Sequence, residues 1–215
     1  MKIVTVTGVL LFVFSTVAAA QSPKAATYIT DGQVKAINAL PGVDRQIVSV
    51  DIGKLNEAVG IIHRGPTAAP AGARGAGTGA AAATIPAAQE CGEKTSATPA
   101  GGFPGGIEHD HQTETYVIVS GGGTLVTGGH IVNGRKSAAD SDVTKVLNGP
   151  SCSGAIAGDD VVKRVVGPGD IIIIPATVPH GWTDIADHVD YLSIRPDPDR
   201  VLPAGYVNPA IITTK

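Results

Sequence analysis

Two histidines one residue apart, with a glutamate close behind, are the residues whose types and spacing could do chemistry. They lie in His109-Asp110-His111-Gln112-Thr113-Glu114. Side chains alternate between faces on an extended strand, so His109 and His111 project from one side. Tyr116-Val117-Ile118-Val119 follows as an apolar run that leads to Gly121. A second stretch, Gly167 to Asp184, carries Ile171 to Ile174, then Pro175 and, after a turn, His180. The isoleucine run reads as a short strand buried on both faces. Three imidazole nitrogens and one carboxylate oxygen gathered on a β scaffold suit one divalent transition metal ion. Fe, Mn, Ni, Zn and Cu all accept such a set, and affinity order alone does not choose among them. With His109, His111, Glu114 and His180 as ligands, the ion keeps open positions, the mark of a catalytic rather than a structural metal.

Two residues between His111 and Glu114 reverse the strand parity, so a bulge or turn must separate them. Without one, Glu114 points outward and the three histidines alone remain. Tyr116 shares the face of Glu114, and Trp182 that of His180; each can line a pocket mouth or fill core. His63 ends a strand on the parity of Val59 and Ile61. It reads either as an acid/base facing the interior or as a structural, hydrogen-bonded histidine. His130 and His188 lack metal-ligand spacing, and Asp184 is placed to orient the His180 loop. No nucleophile elbow, P-loop, dinucleotide fingerprint or zincin helix occurs, which argues against hydrolase, kinase and dehydrogenase chemistry.

The elements that must position these residues are short. Thr30-Asp31-Gly32-Gln33 forms a capping box ahead of a short N-terminal helix carrying Val34, Ile37 and Leu40 and stopped by Pro41-Gly42. Strands follow around Val48, Val50 and Ile52 and through Val59 to His63. Residues 65–106 are mostly Gly, Ala, Pro and Thr. They read as a flexible insertion, because such a segment cannot bury enough surface to offset its ordering entropy. Gly128-Gly129 reads as a hairpin turn, residues 134–160 as an irregular loop, and His188 to Pro196 as an alternating strand. Short strands with Gly/Pro turns and almost no helix mean an all-β antiparallel sandwich or barrel.

Residues 1–20 have Lys2, an apolar core and Ala18-Ala19-Ala20, the pattern of a cleavable secretory signal peptide. A secreted or periplasmic protein is therefore expected, with no membrane contact after cleavage. The chain of 215 residues has a formal net charge of −3, and losing Lys2 takes it from −3 to −4. Without a Lys/Arg cluster, nucleic acid is not an expected partner. Cys91 and Cys152 are either a disulfide, favoured by an oxidising compartment, or two free thiols.

The two histidine-bearing stretches resemble the two motifs of the cupin superfamily. The first motif there is Gly, His-x-His, three or four residues, Glu, six residues and Gly. This chain has His109-x-His111, two residues, Glu114, six residues and Gly121. The second motif is Gly, five residues, Pro-x-Gly, two residues, His, three residues and Asn. Gly169, Pro175 and His180 match it, while Thr177 stands at the glycine and Asp184 at the asparagine. The resemblance covers residues 45–203, leaving an N-terminal extension at 21–44 and a tail at 204–215. It implies a jelly-roll β-barrel, a small-molecule ligand or substrate, and a homodimer. Three activities stay open: a dioxygenase-type oxidoreductase, a lyase or isomerase using the metal as Lewis acid, and a non-catalytic binding module.

Overall fold

The computed structural model describes residues 25–67, 89–96 and 102–212. The expected signal peptide at 1–20 lies outside the described residues. Helix α1 (Asp31–Asn38) starts as its sequence dictates. The Thr30 hydroxyl accepts from the Gln33 backbone N–H at 3.2 Å, and the Gln33 side chain accepts from the Thr30 N–H at 2.9 Å.

The strands are β1 (Asp44–Asp51), β2 (Asn56–Arg64), β3 (Glu90–Cys91), β4 (Phe103–His109), β5 (Glu114–Gly121), β6 (Gly123–Thr127), β7 (His130–Lys136), β8 (Ser151–Ala157), β9 (Val162–Val166), β10 (Ile171–Ile174), β11 (His180–Thr183), β12 (Val189–Asp197) and β13 (Tyr206–Val207). One sheet has the order β10-β5-β12-β2-β1-β13 and the other β3-β7-β8-β4-β11-β6-β9. Neighbouring strands pair antiparallel throughout. The sheets close on a shared interior of Ile62, Tyr116, Ile118 and Tyr191 from the first and Leu125, Val166 and Trp182 from the second. This is the expected antiparallel β-barrel with a short N-terminal helix. Strand β12, central in its sheet, alternates strictly, with Val189, Tyr191, Ser193, Arg195 and Asp197 all buried. The outer face of β1 and β2 is covered by α1 and by a second short helix, α2 (Pro209–Ile212), through Ile37, Ile47, Val48, Ile61 and Ile211.

Several expectations are corrected. Gly128-Gly129 does not turn a hairpin, because β6 pairs with β11 and β9 whereas β7 pairs with β8 and β3; the chain crosses there between separate parts of one sheet. The region 134–160 contains β8, whose small residues Ser, Gly and Ala hide the strand pattern. Within 65–106, Glu90-Cys91 pairs with Gly134-Arg135 and β4 begins at Phe103. Cys91 and Cys152 form a disulfide that ties β3 to β8. The isoleucine strand is not buried on both faces: β10 is an edge strand, and Ile171 and Ile173 are 65% and 68% exposed.

Candidate metal centre

His109 closes β4 and His180 opens β11, neighbouring strands of one sheet; Glu114 opens β5 in the other. All three are buried, with ligand atoms within 4.8 Å of one another. The Glu114 Oε2 lies 3.2 Å from Nε2 of His109 and 3.2 Å from Nε2 of His180.

The turn demanded by the short His111–Glu114 gap sits directly after β4. Asp110 anchors it by donating its N–H to the Pro150 carbonyl at 2.9 Å and by accepting from Lys136 Nζ at 2.7 Å. The turn restores the inward parity of Glu114 but rotates His111 out. The His111 side chain is 57% exposed and its Nδ1 pairs with the Asp199 carboxylate. The expectation that His111 joins His109 on one face is therefore corrected: strand alternation ends at His109.

The hydrogen bonds around the imidazoles fix their tautomers. Nδ1 of His180 lies 3.0 Å from the Val178 carbonyl, which can only accept, so this nitrogen carries the proton. The Ser151 hydroxyl donates to the Gly149 carbonyl at 2.9 Å, so it accepts from Nδ1 of His109, also at 2.9 Å. Burial lowers the pKa of His109 and keeps it neutral, with the nearby Glu114 charge opposing this in part. Each Nε2 thus presents a lone pair toward Glu114 Oε2, itself a lone-pair donor. Three lone-pair atoms within 4.8 Å of one another repel unless a cation or a proton lies among them. Two ligands about 2.1 Å from one ion and about 100° apart are separated by about 3.2 Å. The donor set fits a transition metal ion, and locking His tautomers through the other ring nitrogen is how metal-binding proteins orient imidazoles.

Glu114 is held as a carboxylate from its other side. Burial alone pushes its pKa up, but the Arg195 guanidinium overcomes this and holds it well below the usual range. Oε1 accepts from Arg195 Nε at 2.9 Å and from the Ser193 hydroxyl at 2.8 Å. Oε2 accepts from the Tyr116 hydroxyl at 2.7 Å and faces the imidazoles. Fully buried Arg195 also donates to Asp44 at 2.6 Å and Gln46 at 3.2 Å. Sequence reading missed Arg195 and Ser193, yet both lie on the inward parity of Tyr191 in β12. An arginine on that face demands a buried carboxylate.

The remaining expected residues divide. Tyr116 is buried and bonded to Glu114. Trp182 is buried 5.3 Å from Tyr191, which in turn lies 4.3 Å from Tyr116 (ring centroids). The Trp182 indole N–H is enclosed with no hydrogen-bond partner. His63 faces outward and bonds Asp190 at 2.6 Å, so it does not enter the barrel. Asp184 is exposed and bonds Thr183 at 3.4 Å; Val178, not Asp184, orients His180. Gly121 has φ +65°, and a Cβ there would strike the His188 carbonyl, which explains the glycine at this motif position.

No protein-family profile and no curated protein matches the chain. Solved structures do align. An uncharacterised double-stranded β-helix protein from Klebsiella pneumoniae is 12% identical, with 81% of this chain and 93% of that one covered and a TM-score of 0.36. BH2720 from Bacillus halodurans is 11% identical over 88% and 93% of the two chains, with a TM-score of 0.40. A recombinant oxalate oxidase in complex with glycolate is 13% identical over 79% and 57%, with a TM-score of 0.33. Two antiparallel sheets close into a β-barrel with His109, Glu114 and His180 gathered inside it, the arrangement that the resemblance of the two histidine-bearing stretches to the cupin motifs implies.

Proposed function

We propose that the protein is an exported, metal-dependent cupin that handles a small molecule at a centre made by His109, Glu114 and His180. The observation that carries this reading is the convergence on one buried point of a carboxylate oxygen and two imidazoles, each held through its Nδ1 so that Nε2 faces the carboxylate. The enclosed, unpartnered Trp182 N–H supports a polar ligand atom inside the barrel. Export is supported by the leader-like residues 1–20 and by the Cys91–Cys152 disulfide.

A bound ion would supply Lewis-acid or redox chemistry at positions the protein leaves open. The chain's own residues do the rest. Ser151 and Val178 hold the imidazoles in register, and Arg195 and Ser193 keep Glu114 ionised and pointed. Tyr116, Tyr191 and Trp182 wall the site with aromatic surface that excludes water. Iron or manganese favours a dioxygenase-type oxidoreductase, whereas zinc or nickel favours a lyase or isomerase.

Metal analysis of the mature protein beside His109→Ala and His180→Ala tests the reading. Near-stoichiometric metal in the wild type that is lost in both variants supports it, and oxygen uptake with candidate small molecules then separates the enzyme classes. A wild type that holds no metal after reconstitution would leave a metal-free binding barrel as the account.

A further inference from the structure

The turn that expels His111 from the barrel brings a different side chain in. Burial alternates from Gln112 onward: Gln112, Glu114, Tyr116 and Ile118 are buried, and Thr113, Thr115 and Val117 are half-buried. Gln112 thus continues the burial parity of Glu114 and Tyr116, although the hydrogen-bonded strand begins only at Glu114. Its side chain is 3% exposed, and its Oε1 is enclosed with no hydrogen-bond partner. A buried acceptor left unmade costs the desolvation of that group, so it persists where something else satisfies it.

We propose that Gln112 takes the coordination role that the histidine spacing assigns to His111, its Oε1 being the fourth protein ligand of the ion held by His109, Glu114 and His180. A carboxamide oxygen is a hard, neutral donor. It completes an N2O2 set of two imidazoles, one carboxylate and one amide, which shifts preference toward harder ions such as Mn(II) and Fe(II). His111 is otherwise engaged: Asp199 holds it at the surface, on a turn fixed by the Lys136–Asp110 pair. The shortened His111–Glu114 spacing is the sequence feature behind the exchange, since it moves the inward parity from residue 111 to residue 112.

The inference rests on the metal reading above, and the experiment separates the two. Wild type, Gln112→Ala, Gln112→Glu and His111→Ala are titrated with Mn(II) by calorimetry and with Co(II) by visible absorption. Thermal melts of the metal-free proteins run alongside. Gln112→Ala should weaken both ions about tenfold or more and change the Co(II) spectrum, with the metal-free melt unchanged or raised because an orphaned oxygen is gone. Gln112→Glu should bind more tightly than wild type, and His111→Ala should match wild type within about twofold. A Gln112→Ala protein that binds as wild type with the same spectrum would overturn the assignment, as would affinity lost in His111→Ala alone. A wild type that binds neither ion would overturn the metal reading and this inference together.

Discussion

Nε of Arg195 lies 2.9 Å from Oε1 of Glu114, both side chains buried, and this contact decides which carboxylate oxygen is left to face the imidazoles. Two charges taken out of water are tolerable only as a pair. Arg195→Met would leave Glu114 buried without its guanidinium partner. We expect unfolding free energy to fall by about 3–5 kcal/mol. Adding Glu114→Gln should restore a large part of that loss, because the unpaired charge is then gone. Urea unfolding of the two single variants and the double variant measures the coupling, and strictly additive losses would refute it.

The same pair sets an acid limit for the metal-free protein. Glu114 titrates well below its ordinary value of 4.5 when folded. The unfolded chain therefore binds the proton first as pH falls. The stabilisation is fully present above about pH 4.5 and is lost progressively as pH falls toward the folded value. Wild-type stability should decline over that acid range with a steeper slope than Glu114→Gln. Denaturant midpoints collected between about pH 3 and 7 give both curves, and parallel curves would count against the assignment.

Thr177 occupies the motif position where a glycine is usual, and its φ is +65°, a left-handed conformation that disfavours a β-branched residue. Its N–H donates to the His109 carbonyl at 2.8 Å, so the strained residue pins the end of β4 to the loop before His180. Thr177→Gly keeps that bond and relieves the strain, offset in part by the extra freedom of glycine in the unfolded chain. A gain of about 0.5–1 kcal/mol is expected from chemical denaturation, and a loss would show that the threonine side chain contributes packing.

Much of this molecule was legible from residue types. The capping box at Thr30 and Gln33 and an antiparallel sandwich or barrel follow from residue pattern and periodicity, while the jelly-roll barrel and the pairing of His109 and Glu114 with His180 are what the resemblance to the two cupin motifs implies. What sequence reading missed has physical causes. His111 looked equivalent to His109 because alternation was carried past the end of β4, where the chain already turns. Strand β8 escaped because Ser151-Cys152-Ser153-Gly154-Ala155 offers no large apolar side chain to reveal a period. Arg195 was passed over because a charge on a strand suggests solvent, whereas its parity with Tyr191 and Ser193 puts it inside.

The four isoleucines of β10 show how far a uniform run can mislead. Ile174 is buried in the barrel interior and pairs with Glu114 across the sheet, while Ile173 points to solvent. Ile174→Ala should cost about 2–4 kcal/mol, and Ile173→Ala less than about 0.5 kcal/mol. Equal losses in thermal or chemical unfolding would mean that the outer face of β10 is covered in solution.

The Cys91–Cys152 disulfide and Ser151 are adjacent in sequence yet should separate cleanly in their effects. The bond spans 61 residues, and removing it through Cys91→Ser with Cys152→Ser should cost about 4 kcal/mol in the chain-entropy account. The β4–β8 pairing that places His109 opposite Ser151 does not depend on it, so metal affinity in the folded protein should hold. Ser151→Ala does the reverse. It removes the acceptor that keeps the proton on Nδ1 of His109, and affinity should fall about 10–100-fold with a much smaller loss of stability. Unfolding and metal titration of both variants measure the contrast. If the double cysteine variant lost metal while Ser151→Ala retained it, the orientation of His109 would have to come from the covalent tie rather than from the hydroxyl.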